Sequence, residues 1–75
     1  MIDELDIAVL TCDLPEHGLA AGDIGTVVLV HDEGKGYEVE FMTLDGKTIA
    51  VATLRAEQVR AAQDDEIAHA RSISS

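Results

Sequence analysis

Residues 24–42 read IGTVVLVHDEGKGYEVEFM, and this stretch decides the fold. Its first part, Ile24 to His31, is a mostly β-branched run, and such side chains pack well on a pleated surface. The run stops at Asp32-Glu33-Gly34-Lys35-Gly36, where two glycines supply the backbone freedom of a turn. From Tyr37 to Met42 the pattern alternates: Tyr37, Val39 and Phe41 point one way, Glu38, Glu40 and Met42 the other. Two antiparallel strands joined by a tight turn follow, and the carboxylates mark the wet face of the second.

Downstream, Leu44-Asp45-Gly46 is a turn whose length sets the pairing register. A two-residue loop would put Phe41 opposite Ala50 and Glu40 opposite Val51, mixing a charged with an apolar face. A three-residue loop with Gly46 left-handed and closing a bulge instead pairs Phe41 with Ile49, Val39 with Val51 and Tyr37 with Thr53, and is the expected form. Beyond Thr53 the stretch Leu54 to Gln58 is too short for an α-helix, so a single 3₁₀ turn into a last short strand at Val59-Arg60 is expected. Upstream, Leu5, Ile7 and Val9 alternate with Asp6, Ala8 and Leu10 in a first strand, Leu5 to Thr11. Cys12 to Asp23, with Pro15, Gly18 and Gly22, reads as a long excursion loop.

Five short strands in this order, with a long first loop and a 3₁₀ turn before the last strand, predict a mainly β fold: a small five-stranded SH3-like barrel over residues 1–61. Residues 62–75 form the expected short helical tail. Asp64 can cap it, Asp65 and Glu66 sit at its positive end, and His69 and Arg71 lie near its negative end. The helix would run from about Asp65 to Arg71 with a thin stripe of Ile67, Ala68 and Ala70, so it must dock or fray.

With 75 residues the chain forms one domain and a thin core, and its apolar content is carried by Val, Ile, Leu and Ala because Tyr37 and Phe41 are its only Tyr, Phe or Trp residues. Fifteen acids against five bases give a formal charge of −10, a field that repels nucleic acid and anionic lipid and favours a basic partner. A single cysteine, Cys12, forms no internal disulfide, and no stretch resembles a signal peptide or membrane span, so a cytoplasmic location is expected.

The segments Leu14 to Leu19 (LPEHGL), Ala21 to Val28 (AGDIGTVV), Tyr37 to Phe41 (YEVEF) and Val51 to Leu54 (VATL) resemble a family of small bacterial proteins classed only as a domain of unknown function. The likeness spans about residues 2–61, and some members carry an extension similar to Asp65 to Arg71 (DEIAHAR). The resemblance implies an SH3-like barrel without an established activity, often encoded beside another small protein in the manner of a toxin–antitoxin pair. It offers no catalytic residue to carry over. Ala21 to Val28 also looks like the glycine-centred turn of KOW-type barrels that bind RNA. RNA binding, however, needs basic loops and stacking side chains, and the loops here carry Asp13, Glu16, Asp23, Asp32 and Glu33 against one Lys35.

Other chemistries find little footing. A groove for proline-rich peptides needs several aromatics, and the single Tyr37 alternates with the core. Cys12, His17 and His31 are competent metal ligands but lack paired spacing, so they read as packing, loop and strand-end residues. Asp13 and Glu16 would oppose thiolate formation at Cys12, which removes a nucleophile–base pair with His17. The runs Asp3-Glu4-Asp6 and Asp64-Asp65-Glu66 read as solvated charge. No enzyme site, metal or cofactor is expected.

The remaining signal is the far side of the sheet. With Val28 and Val30 turned inward beside Val39 and Phe41, the residues Val27, Leu29, Ala50, Ala52 and Met42 would lie off the core and form an apolar patch. The first functional expectation is therefore a protein-interaction module, antitoxin- or immunity-like, binding a cognate basic protein through Glu38, Glu40 and Asp45 for charge and Leu29, Met42 and Ile67 for contact. A homo-oligomeric scaffold is the second, and a KOW-like RNA-binding domain the third.

Overall fold

In the computed structural model, which describes residues 2–73, β-branched runs and glycine-bearing turns divide the chain into five strands. These are β1 (Ile7–Leu10), β2 (Ile24–His31), β3 (Gly36–Met42), β4 (Thr48–Arg55) and β5 (Val59–Ala61). Single 3₁₀ turns occupy Pro15–His17 and Ala56–Gln58, the second where the sequence predicts it. All pairings are antiparallel, in the order β4-β3-β2-β1-β5. The expected closed barrel is not what the ladder makes: β4 and β5 are the edges of an open sheet. A three-residue β5 has room to pair only with β1, and the Pro15–His17 turn packs against β4 instead of another strand.

The core forms where Tyr37, Val39 and Phe41 point inward from β3, as their alternation predicts. What they meet differs from expectation on both sides. In β2 a bulge at Val28 shifts the register between Val27 and Leu29, so that Val27 opposes Val39 and Val30 opposes Tyr37. One extra residue therefore lets Val27 and Val30 both face inward, while Val28 and Leu29 remain exposed. Val27 is wholly buried and belongs to the core, contrary to the sequence expectation.

In the β3–β4 hairpin the Leu44-Asp45-Gly46 loop has the expected length. The Thr43 N–H donates to the Lys47 carbonyl, the Gly46 N–H donates back to the Thr43 carbonyl, and Gly46 has φ +89°. Met42 duly opposes Thr48, but a second irregularity follows, and Phe41 opposes Ala50 rather than Ile49. From there Val39 meets Ala52 and Tyr37 meets Leu54. Ala50 and Ala52 therefore lie on the core side, and Val51 faces solvent. The expected pairings of Val39 with Val51 and Tyr37 with Thr53 are each off by one residue. Turn chemistry set the hairpin end correctly, but a second bulge is invisible to it because it serves the packing of small alanines beneath β3.

A row of small residues explains why the sheet can fold this tightly. Ala61, Ala8 and Gly25 stand in register across β5, β1 and β2. A Cβ added at Gly25 would come within 2.7 Å of Val39 Cγ1, 2.8 Å of the Glu40 carbonyl oxygen and 2.9 Å of Phe41 Cδ1. Gly25 is thus fixed by close approach and not by an unusual φ. The first strand is shorter than predicted: Leu5 has φ 72° and is largely exposed, Ile7 is exposed, and Ala8, Val9 and Leu10 are buried. The long β1–β2 loop folds on itself through a Leu14–Leu19 bridge and buries both leucines.

The tail is not a helix. Ala62 donates to the Ile7 carbonyl, a turn spans Gln63 to Glu66, and residues 67–73 run on without regular structure; Met1, Ser74 and Ser75, at the ends of the two expected units, lie outside the described residues. Glu66, expected to favour a helix N-terminus, instead accepts the Gln63 N–H at 2.7 Å and N–H groups of Arg60 Nη1 and Nη2 at 2.7 and 2.6 Å. A stripe of one isoleucine and two alanines cannot repay helix nucleation against such contacts. Gly25→Ala should destabilise the fold by about 1–3 kcal/mol, since the Glu40 carbonyl cannot yield as a flexible side chain would. The check is the urea midpoint, with Gly36→Ala, whose nearest atom is 3.4 Å away, as the milder comparison.

Candidate functional site

The surface that gathers most of the sequence-chosen residues is the outer face of β2, β3 and β4. Residues directly opposite one another share a side of the sheet, and two rows result: Ile7, Thr26, Glu40 and Val51; then Leu29, Glu38 and Thr53. Leu29 is 43% exposed, Met42 49% and Val51 52%, so three apolar side chains stand among the carboxylates of Glu38 and Glu40. Asp45 lies in the turn just beyond Met42. Ile67 is 91% exposed in the tail and does not join the face; its expected place on a helical stripe is lost with the helix.

The carboxylates are held, not loose. Glu38 Oε2 lies 2.7 Å from His31 Nε2, and the Thr53 hydroxyl donates to both Glu38 oxygens at 2.9 and 2.8 Å. The His31 contact, and after it the Thr53 hydroxyl, hold the Glu38 carboxyl below its ordinary range. Thr48 donates to Glu40 at 2.7 Å. Asp45 accepts from the Thr43 hydroxyl, which likewise keeps its carboxyl ionised to lower pH than usual. Threonines one strand away thus act as fixed donors that orient negative charge on this face.

A second feature was not foreseen. The tail crosses the protein beside a groove of about 650 Å³ lined by Leu19, Ile24, Phe41, Met42, Leu44 and Ile49, with Ala68 to Ile73 on its other wall. Arg71 anchors it: Nε and Nη2 donate to the two Asp23 carboxylate oxygens at 2.7 and 2.5 Å, and Nη2 also donates to the Gly18 carbonyl at 3.1 Å. Asp23 is itself fixed, because its carboxylate accepts the Ala20 N–H at 2.9 Å and its carbonyl accepts the Leu10 N–H. The Arg71 hydrogen bonds hold the Asp23 carboxyl below its usual range, against the opposing effect of burial. The signal for this pair was present as the arginine of the tail and the Gly22-Asp23 entry into β2, but two residues so far apart in sequence cannot be matched by spacing.

Cys12, His17 and His31 do not converge. Cys12 Sγ accepts from Gln58 at 3.8 Å, His31 faces Glu38, and His17 lies exposed in the first 3₁₀ turn. Among the described residues no group of three or more His, Cys, Asp or Glu is arranged to hold a metal ion, and no helix is long and apolar enough to cross a membrane.

Residues 4–61 match the family described as Domain of unknown function (DUF4926). The chain belongs to this family. The match takes in all five strands, the Asp23 seat and the groove wall from Leu19 to Ile49, and ends before the tail that carries Arg71. No curated protein and no solved structure matches the chain.

The Arg60–Glu66 pair supplies a pH test. Arg60 hydrogen bonding lowers the Glu66 carboxyl to about 2. A carboxyl depressed on folding favours the native turn fully above its unfolded pKa of about 4.3 and loses that preference as pH falls through the native value. The Glu66 side-chain carbon resonance should titrate with a midpoint near 2, and Arg60→Gln should return it toward the ordinary glutamate range. An unshifted midpoint in the native protein would show that the pair is not formed in solution.

Proposed function

We propose that this chain is a non-enzymatic interaction module that binds a cognate basic protein, as an antitoxin or immunity protein does. The observation that carries this reading is the outer face of β2, β3 and β4, where Leu29, Met42 and Val51 stand exposed among the oriented carboxylates of Glu38 and Glu40. Apolar contacts surrounded by fixed charge are the composition of a protein interface, and a chain charge of −10 would steer a cationic partner toward it. The strand order, with a 3₁₀ turn between β4 and β5, supports an SH3-like roll, and a lone Cys12 fits a cytoplasmic setting. A KOW-like RNA-binding role finds less support, because the same face would repel phosphate.

One observation favours a second reading, a homo-oligomeric scaffold. The Pro15–His17 turn packs against edge strand β4, yet the strand carries no charged side chain between Lys47 and Arg55, and edges without charge tend to pair with further copies. Size-exclusion mass at two concentrations separates the readings: a mass that stays monomeric disposes of the scaffold.

Co-expression with the product of the adjacent reading frame tests the first. A complex should form, relieve that product's toxicity and weaken with salt. Glu38→Gln with Glu40→Gln should slow its association by about tenfold at low salt while leaving the urea midpoint nearly unchanged. If the neighbour neither binds nor is neutralised, the antidote role fails.

A further inference from the structure

The Asp23 seat and the groove beside it form a receptor whose present occupant is the chain's own tail. We infer that this groove is a binding site for an extended, arginine-bearing segment of the basic partner, and that residues 67–73 are a displaceable stand-in for it. This inference rests on the reading of the protein as a binder of a basic partner and names a second surface for that binding.

The first line of support is a seat made before its ligand arrives. Asp23 is held from both sides by bonds that do not involve Arg71: its carboxylate by the Ala20 N–H and its main chain by Leu10. The Gly18 carbonyl, at the left-handed end of the first 3₁₀ turn, is turned toward the same guanidinium. Two carboxylate oxygens and a carbonyl match the planar fork of an arginine, which donates in fixed directions, better than a lysine ammonium.

The second is how lightly the stand-in is held. Residues 63–73 are all exposed, and among the described residues no main-chain hydrogen bond ties 67–73 to the sheet. Ile67 points away at 91% exposure, and Leu44 on the groove rim is fully exposed, so the tail leaves apolar surface uncovered that a longer segment would cover. Its polar attachments are Arg60 with Glu66 at one end and Arg71 with Asp23 and the Gly18 carbonyl at the other; the arginines of both ion pairs remain partly open to solvent, so salt weakens them.

The third is charge. Displacement exchanges one guanidinium for another on Asp23, so the receptor never loses its counter-charge. In a chain of −10, a segment bearing further bases gains attraction that the tail, with Asp64, Asp65 and Glu66 beside it, does not have. The receptor residues fall inside the family match of 4–61 and the stand-in falls outside it.

A capped synthetic peptide copying residues 67–73 (IAHARSI) provides the probe, titrated into the full chain and followed by amide NMR shifts. The wild-type chain should show weak binding, because its own tail competes. Arg71→Gln, which frees the seat, should bind the peptide at least about tenfold more tightly, with shifts at Gly18, Asp23, Met42 and Leu44. Asp23→Asn added to that variant should abolish the gain, as should replacing the peptide's arginine by glutamine. Arg71→Lys should fall between, and the spread of amide signals confirms that each variant is folded. Equal affinity for wild type and Arg71→Gln, or no binding by either, overturns the inference. Shifts confined to Glu38, Glu40 and Leu29 also overturn it, yet leave the basic-partner reading standing on the outer face.

Discussion

The sheet depends on one close approach, that of Phe41 and Val39 to the bare backbone of Gly25. Any side chain there would meet both residues and the Glu40 carbonyl below contact distance, so β2 and β3 can lie together only because position 25 has no Cβ. The requirement spreads outward. Ala8 and Ala61 continue the small row on one side, and Ala50 faces Phe41 on the other, so that one aromatic ring is packed among alanines and a glycine. Tyr37 is the only other aromatic of the chain, and the rest of the core is aliphatic.

The two slips in register follow from the same shortage. Val28 and Ile49 each mark an added residue on strands flanking β3, and each returns an inward-pointing small aliphatic, Val30 or Ala50, to the layer facing Tyr37 or Phe41. β3 itself contributes no added residue and alternates strictly. It is the strand against which the others are adjusted, and its glutamates become the ordered charge of the outer face because its aromatics and Val39 are committed to the inside.

What the sequence could tell follows this division. The extent of β2, the inward set of β3, the loop at Leu44 to Gly46 and the 3₁₀ turn before β5 were legible because each is written in adjacent residues: a β-branched run, an alternation, a glycine at a fixed offset. Val27, Ala50 and Ala52 were misplaced because a bulge is chosen by what lies across the sheet, which a local pattern does not contain. The tail was misread for a similar reason. Asp65, Glu66 and Arg71 carry helix-like charge order, but Glu66 finds Arg60 and Arg71 finds Asp23, and each of these tertiary bonds outweighs a marginal local preference. Leu29, Glu38, Glu40 and Met42 share the outer face because each belongs to the alternation of β3 or pairs with it, whereas Asp45 lies in the turn and Ile67 in the tail. In sequence Asp23 is one acid among fifteen, and only its tertiary partner Arg71 sets it apart.

The pairing of β5 with β1 joins the first and last strands, Ala8 beside Ala61, whereas β2, β3 and β4 are linked by short hairpins. The hairpins close over short stretches of chain, but the β1–β5 seam pairs residues about fifty positions apart. Because the tail continues directly from β5 and Arg71 bonds to Asp23 at the entry of β2, this one ion pair reaches across β1 and staples the outermost strand back to the hairpins.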